Sequence, residues 1–187
     1  VSNGCLRCYA EALSLKRGWS KQPWTAQNSA ENVILHPDRL KLPYKFKIGS
    51  RCFVNSMSDL WHPEIPDTFI RQVFDVMTDC SHVTFQILTK RPTRAAAYPG
   101  PWPDNVWQGT SVEDKKSLHR LDDLRLCKAK ILFISFEPLL EPLDHLDLAG
   151  YHWAIVGGES GPRFRPMDHA WARNIRDQCL QQGIRFF

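Results

Sequence analysis

Apolar residues gather into short runs from Arg51 onward: Cys52 to Val54, Val83 to Leu88, Val106-Trp107, Ile131 to Phe136, Trp153 to Val156 and Ile184 to Phe187. They recur about every two to three dozen residues, and continuous apolar runs of this length suit strands buried on both faces of a parallel sheet. Between them the period lengthens to that of a helix. Phe69, Ile70, Val73, Phe74 and Met77 follow Asp67 as a capping residue, and Leu118, Leu121 and Leu124 mark one face of another helix. Trp171, Ile175 and Cys179 stand four apart behind Asp168, with Gly183 as a stop. Near the start, Tyr9 to Arg17 predicts a short helix ending at Gly18. Residues 19–51, rich in Trp, Pro, Lys and Asn, predict a loop-rich insertion with one strand-like stretch, Asn32 to Leu35.

Alternating strands and helices imply an α/β fold with mostly parallel strands. Nearly every apolar run finishes on polar, reactive residues: Asn55 to Asp59, Thr89-Lys90-Arg91, Gly109 to Glu113, Ser135 to Pro138 and Gly157 to Ser160. Ligands and catalytic groups collect at strand carboxyl ends, and a ring of such ends favours a barrel over an open doubly wound sheet. We therefore expect residues 1–187 to form one incomplete (β/α)-barrel domain. Strands also end on polar loops in proteins without any site there, so each residue taken singly keeps that plainer reading.

Composition adds bounds. The chain has 187 residues, 43% of them apolar, enough for one substantial core. Its net charge of +4 is spread without a basic run, which permits nucleic acid as a partner and does not select it. No stretch approaches the roughly 20 apolar residues of a membrane helix, and no basic-then-apolar leader opens the chain, so the expectation is a cytoplasmic protein with no membrane partner. The start at Val1 and the stop inside an apolar run read as a fragment cut at both ends.

Of six cysteines, Cys5 and Cys8 form a Cys-X-X-Cys pair and the rest are isolated. A redox pair, half of a zinc site and two ligands of an iron-sulfur cluster all fit that spacing. Cys52 opens a strand, Cys80 and Cys127 close helices and Cys179 lies on a helical apolar face. These four are expected to be small buried hydrophobes, which leaves a further ligand to be supplied before Val1. A thioredoxin-like reductase is disfavoured, because no strand precedes Cys5.

The opening segment from Val1 to Glu11 resembles the tail of a three-cysteine motif in a phage and bacterial family, the gp thirty-seven/gp sixty-eight family. Phe53 to Pro66, Gln86 to Pro92, Val106 to Glu113, Phe133 to Leu140 and Trp153 to Pro166 resemble its other motifs, so the likeness covers nearly the whole chain. In that family a further cysteine lies a few residues upstream, and the last strand continues into Lys-Gln-Trp-Gly. The three-cysteine motif is in turn similar to that of radical S-adenosylmethionine enzymes, particularly the spore photoproduct lyase-like branch. The resemblance implies a [4Fe-4S] cluster held in part by Cys5 and Cys8, S-adenosylmethionine on the open iron, and cleavage of its carbon-sulfur bond to a 5′-deoxyadenosyl radical. It also implies an electron donor, a substrate among nucleic acids or nucleotides, and a partner protein encoded nearby.

With that chemistry in view, Tyr9 is a candidate to stack on the cofactor's adenine, or else a core residue. Asp59 is a candidate acceptor for its ammonium group, or else a turn or cap residue. Lys90 is a candidate for its carboxylate and Arg91 for a substrate anion, against solvated charge. Ser111, Glu113 and Glu137 are candidates to line the same cavity through ribose contacts, or else Glu113 belongs to the first turn of the following helix. Glu159, behind Gly157-Gly158, is a cavity carboxylate, and Arg163 and Arg165 are candidates for an anionic substrate. Trp19, Trp24, Trp61 and Trp102 fall in expected loops, where they either stack bases or anchor the loop to the core. The rival from another class is a zinc-stabilised nucleic-acid-binding or interaction module without catalysis.

Overall fold

The computed structural model describes residues 2–161 and 163–187; Val1 and Pro162, which fall in two of the family-like segments, lie outside the described residues. Six strands form one sheet in sequential order: β1 (Arg51–Val54), β2 (Thr84–Thr89), β3 (Val106–Ser111), β4 (Ile131–Phe136), β5 (Trp153–Val156) and β6 (Arg185–Phe186). Every neighbouring pair is parallel. Parallel neighbours need crossovers, and these contain α3 (Asp67–Asp79), α4 (Pro92–Ala96), α5 (His119–Arg125) and α6 (His169–Gln181). Ahead of the sheet lie α1 (Tyr9–Lys16) and α2 (Ser29–Asn32).

The register sorts strand side chains into two sets. Phe85, Ile87, Val106, Leu132, Ile134, Phe136 and Ala154 share one face, and they join Ala95 of α4, Ile70, Phe74 and Met77 of α3, Leu121 and Leu124 of α5 and Ile175 and Cys179 of α6 in one buried cluster. All four crossover helices thus cover the same face. A sequential, singly wound sheet of this kind is a partial (β/α) barrel, as the ring of polar strand ends predicts, and not a doubly wound layer.

The other face is the inner, concave one. Trp107, Phe133, Trp153 and Phe187 line it, with Trp153 packing edge-on against Trp107 at 6.1 Å between ring centroids. Gly109 in β3 is needed here. A Cβ on it would stand 2.4 Å from the ring of Phe133 on β4, which an unmoved sheet cannot accept. Phe53 on edge strand β1 and Phe187, just past edge strand β6, remain exposed.

The helices follow the apolar periods, with informative departures. Asp168 caps α6, its side chain accepting from the Ala170 amide at 2.8 Å, and Gly183 stops it with φ of 70°. At α3 the cap position is Pro66, and Asp67 is the first helical residue. Proline preorganises that entry with its fixed φ, so no side-chain cap forms. The strand expected over Asn32 to Leu35 does not form: Asn32 ends α2, and its side chain instead braces the insertion by bonding the amides of Lys21 and Gln22. Residues 19–50 hold only α2 and two short 3-10 turns, Pro37–Lys41 and Pro43–Lys45. Trp61 and Trp102 stack at 5.9 Å inside the core, Trp24 bonds Ser20, and Trp19 stays exposed, so loop anchoring accounts for three of the four loop tryptophans. Among the described residues no helix is long and apolar enough to cross a membrane.

Candidate functional site

The two cysteines sit on a tight turn. Asn3–Cys5 make one turn of 3-10 helix, the Cys8 amide donates to the Cys5 carbonyl at 3.2 Å, and Cys8 then stands at the N-cap of α1 in extended conformation. Both thiols are half-buried. Gly4 explains where the turn lands: a Cβ there would lie 3.1 Å from Glu113 Oε1 and 3.1 Å from Pro138 Cδ. Glu113 and Pro138 follow the ends of β3 and β4, so the backbone of the turn presses directly on the carboxyl edge of the sheet.

Polar ties fasten it there. The Ser2 hydroxyl donates to Glu113 Oε1 and lies 3.5 Å from the Cys5 sulfur. Asn3 Nδ2 donates to Asp114 at 3.2 Å. From the loop after β5, the Arg165 guanidinium donates to the Asn3 carbonyl and Oδ1, both at 3.0 Å, and Arg7 donates to the Arg163 carbonyl. Arg165 is aimed by Glu159, which accepts from its Nε, Nη2 and backbone amide at 3.0, 2.5 and 2.7 Å. Those bonds outweigh burial and hold the Glu159 carboxyl below its ordinary range.

Glu113 is the hub. Its carboxylate is 0% exposed and pairs with Lys90 Nζ at 2.9 Å and Arg120 Nη1 at 2.7 Å, in addition to Ser2. Burial pushes its pKa up, but Lys90, Ser2 and Arg120 prevail and keep it lowered. Beside it, Asp59 accepts from Thr89 Oγ1, the Trp61 amide, the Lys90 amide and Arg91 Nη1 at 2.7 to 3.2 Å. A carboxylate offers about four lone-pair sites, so Asp59 is filled by its own neighbours and has none left for an ammonium group. Its work in this fold is to join the β1 and β2 ends.

The structure therefore brings Cys5, Lys90, Glu113, Glu159 and Arg165 into one connected network, with Asp59 and Arg91 bonded to its flank. Ser111 is buried opposite Ser135 on the inner face, and its carbonyl is taken by Arg120. Glu137 is different: it is exposed, rests against Gly157, where a Cβ would stand 3.0 Å from its carboxyl carbon, and has no bonded partner among the described residues. Tyr9 is 54% exposed near Gly161, which removes the core-packing reading. Arg163 is exposed. Sequence reasoning missed Ser2, Asn3, Asp114 and Arg120. Only Asp114-X-X-Ser117 carries a readable signal, a capping box that the structure forms in full.

A family model described as "Protein of unknown function (DUF5131)" matches residues 1–187. The chain belongs to the DUF5131 family. Neither a curated protein nor a solved structure matches it.

The remaining cysteines of this DUF5131 chain are structural. Burial raises the thiols of Cys52 and Cys80, pushes Cys179 up to about 11 and Cys127 up to about 12, keeping them protonated. Cys5 and Cys8 alone stand at the carboxyl edge. They fit as two thiolate ligands of a metal centre; among the described residues no group of three His, Cys, Asp or Glu side chains could hold a metal, so these two do not close a site by themselves.

The ties give the turn an acid limit. Glu113, Asp114 and Glu159 all have lowered folded pKa values, so their contribution is present above the ordinary carboxylate pKa of about 4 and is lost as pH falls through the depressed values. Amide exchange of residues 3–8 is expected to be slow relative to their intrinsic rates near neutrality and to lose that protection as pH falls below about 4, read by mass spectrometry.

Proposed function

We propose that this chain is the barrel domain of a radical S-adenosylmethionine-like iron-sulfur enzyme of the gp thirty-seven/gp sixty-eight type, from a phage or mobile-element setting. The observation that carries the reading is the docking of the Cys5/Cys8 turn on the carboxyl edge of a singly wound parallel sheet, where barrel enzymes place their chemistry. Of the other cysteines, Cys80, Cys127 and Cys179 are buried in the core and Cys52 packs half-buried against it, all with thiol pKa values raised by burial. Cys5 and Cys8 would hold the cluster together with a third ligand of the kind the family resemblance implies. When bound, the cluster supplies one-electron reduction of the sulfonium cofactor.

The chain's own residues do the rest. Glu137, an unpaired carboxylate at the mouth of the inner face, is the acceptor for the cofactor's ammonium or ribose hydroxyls. Tyr9, exposed beside the cysteine turn, presents a ring to the adenine. Lys90 neutralises the buried Glu113 and keeps its partly exposed ammonium group at the strand end, and Arg163 faces an anionic substrate such as a nucleotide or nucleic acid. Glu113, Glu159 and Arg165 position the turn.

Anaerobic reconstitution of the full-length protein with iron and sulfide, followed by electron paramagnetic resonance, tests this. The expected result is a reducible [4Fe-4S] signal that changes on adding S-adenosylmethionine and disappears in Cys5→Ala. A cluster signal indifferent to the cofactor would overturn the assignment, and stoichiometric zinc without a cluster would promote the binding-module reading.

A further inference from the structure

A cavity of about 510 Å³ lies between the cysteine turn and the connection from β3 to α5, lined by Ser2, Asn3, Leu6, Asp114, Lys116 and Arg120 among others. Its size is within the range of small-ligand sites. Arg120 is only 9% exposed, yet it spends a single nitrogen, Nη1, on the Ser111 carbonyl and Glu113. Among the described residues its Nε and Nη2 have no partner. Neither nitrogen is cut off from solvent, so both open on the cavity, and the planar fork they form matches two oxygens of a phosphate. Lys116 stands at the rim, exposed and without an acidic partner among the described residues.

Asp114 sets the other half of the ligand. Its Oδ1 accepts from the Ser117 amide and hydroxyl, while Oδ2 accepts only from Asn3. One lone pair stays free, and an ionised carboxylate there repels phosphate and accepts a hydroxyl. The cavity lining holds two cations, Lys116 and Arg120, against one carboxylate, Asp114, and the Glu113 that pairs with Arg120 is also paired with Lys90, so an excess positive charge remains.

We infer that this cavity binds a small hydroxylated phosphate ester, of the sugar-phosphate or nucleotide class, with its phosphate on Arg120 and Lys116 and a hydroxyl on Asp114. The inference is independent of the iron-sulfur reading, since it uses neither thiol.

Titration of ribose 5-phosphate, inorganic phosphate and ribose into the metal-free chain, followed by nuclear magnetic resonance shifts or calorimetry, tests it. Ribose 5-phosphate is expected to saturate a single site, with inorganic phosphate at least tenfold weaker and ribose without effect. Lys116→Glu, an exposed change that leaves the fold intact, is expected to weaken ribose 5-phosphate at least tenfold; Arg120→Lys, which keeps the charge and loses the fork, should also weaken it. Absence of saturation, or unchanged affinity in Lys116→Glu, overturns the site. Equal affinity for inorganic phosphate removes Asp114 from it.

Discussion

Replacing Glu113 with alanine is expected to lower stability by about 3 to 5 kcal/mol, the usual cost of removing one partner from a buried ion pair. Glu113 is wholly buried and serves two cations, so the loss leaves Arg120 charged in the interior and releases Lys90 to solvent. Glu113→Gln keeps the shape and is expected to lose nearly as much, because the missing charge, not the missing volume, is what strands Arg120. A double variant, Glu113→Gln with Arg120→Met, is expected to recover part of the deficit, since no unpaired ion is then buried. Urea unfolding of the four proteins measures this. Losses in Glu113→Gln below about 1 kcal/mol would show that the network contributes little. The Ser2 tie goes with the Glu113 side chain, so amide exchange in residues 3–8 should accelerate in Glu113→Ala, and less in Glu113→Gln, whose amide oxygen can still accept from Ser2, even where the sheet stays protected.

The second large effect lies beneath the same edge. Trp61→Ala is expected to cost about 3 to 5 kcal/mol through the cavity it opens. Trp61 sits among Phe74, Tyr98 and Trp102 with ring centroids 5.6 to 5.9 Å away, and its Nε1 donates to Gln108 Oε1 at 3.0 Å. Gln108 is fully buried in β3, so alanine also leaves its amide oxygen unpaired. Trp61→Phe fills most of the space and loses only the bond, with an expected cost of about 1 to 3 kcal/mol. The residue connects core to site: its amide is one of the four donors on Asp59, which holds Arg91 and the Lys90 backbone. Thermal unfolding monitored by near-ultraviolet circular dichroism separates the two variants. Equal losses would mean that packing contributes nothing beyond the hydrogen bond.

The fold was legible because its signals are local. Runs such as Ile131 to Phe136 are buried strands in length and composition, and β4 spans those same residues. Asp168 and Gly183 state the bounds of α6 in the residue types that caps and left-handed stops require. The insertion was legible only as irregular. Asn32 to Leu35 has strand-like residues but no neighbour to pair with, and the amide-bracing role of Asn32 decides its conformation. The site was legible in part, for a physical reason. Strand carboxyl ends are found by pattern, so Lys90, Glu113 and Glu159 could be named, but which of them face solvent depends on partners distant in sequence. Glu113 is consumed by Lys90, Arg120 and Ser2, Asp59 by four donors and Glu159 by Arg165, while Glu137 has no bonded partner among the described residues. Arg120 belongs to no motif that the sequence displays and Ser2 only accompanies the cysteine motif, so the network that joins them through Glu113 appears only when the cysteine turn is laid on the edge.

The most direct test of the central claim, that the docked cysteine turn holds an iron-sulfur centre, is elemental: iron, acid-labile sulfide and zinc per chain in full-length protein isolated without oxygen, compared with Cys5→Ser and Cys8→Ser. Iron and sulfide near four each per chain, falling together in either variant, is the predicted result for one [4Fe-4S] cluster, at about four of each. Zinc bound stoichiometrically and lost in the same variants, with iron and sulfide absent throughout, would contradict it.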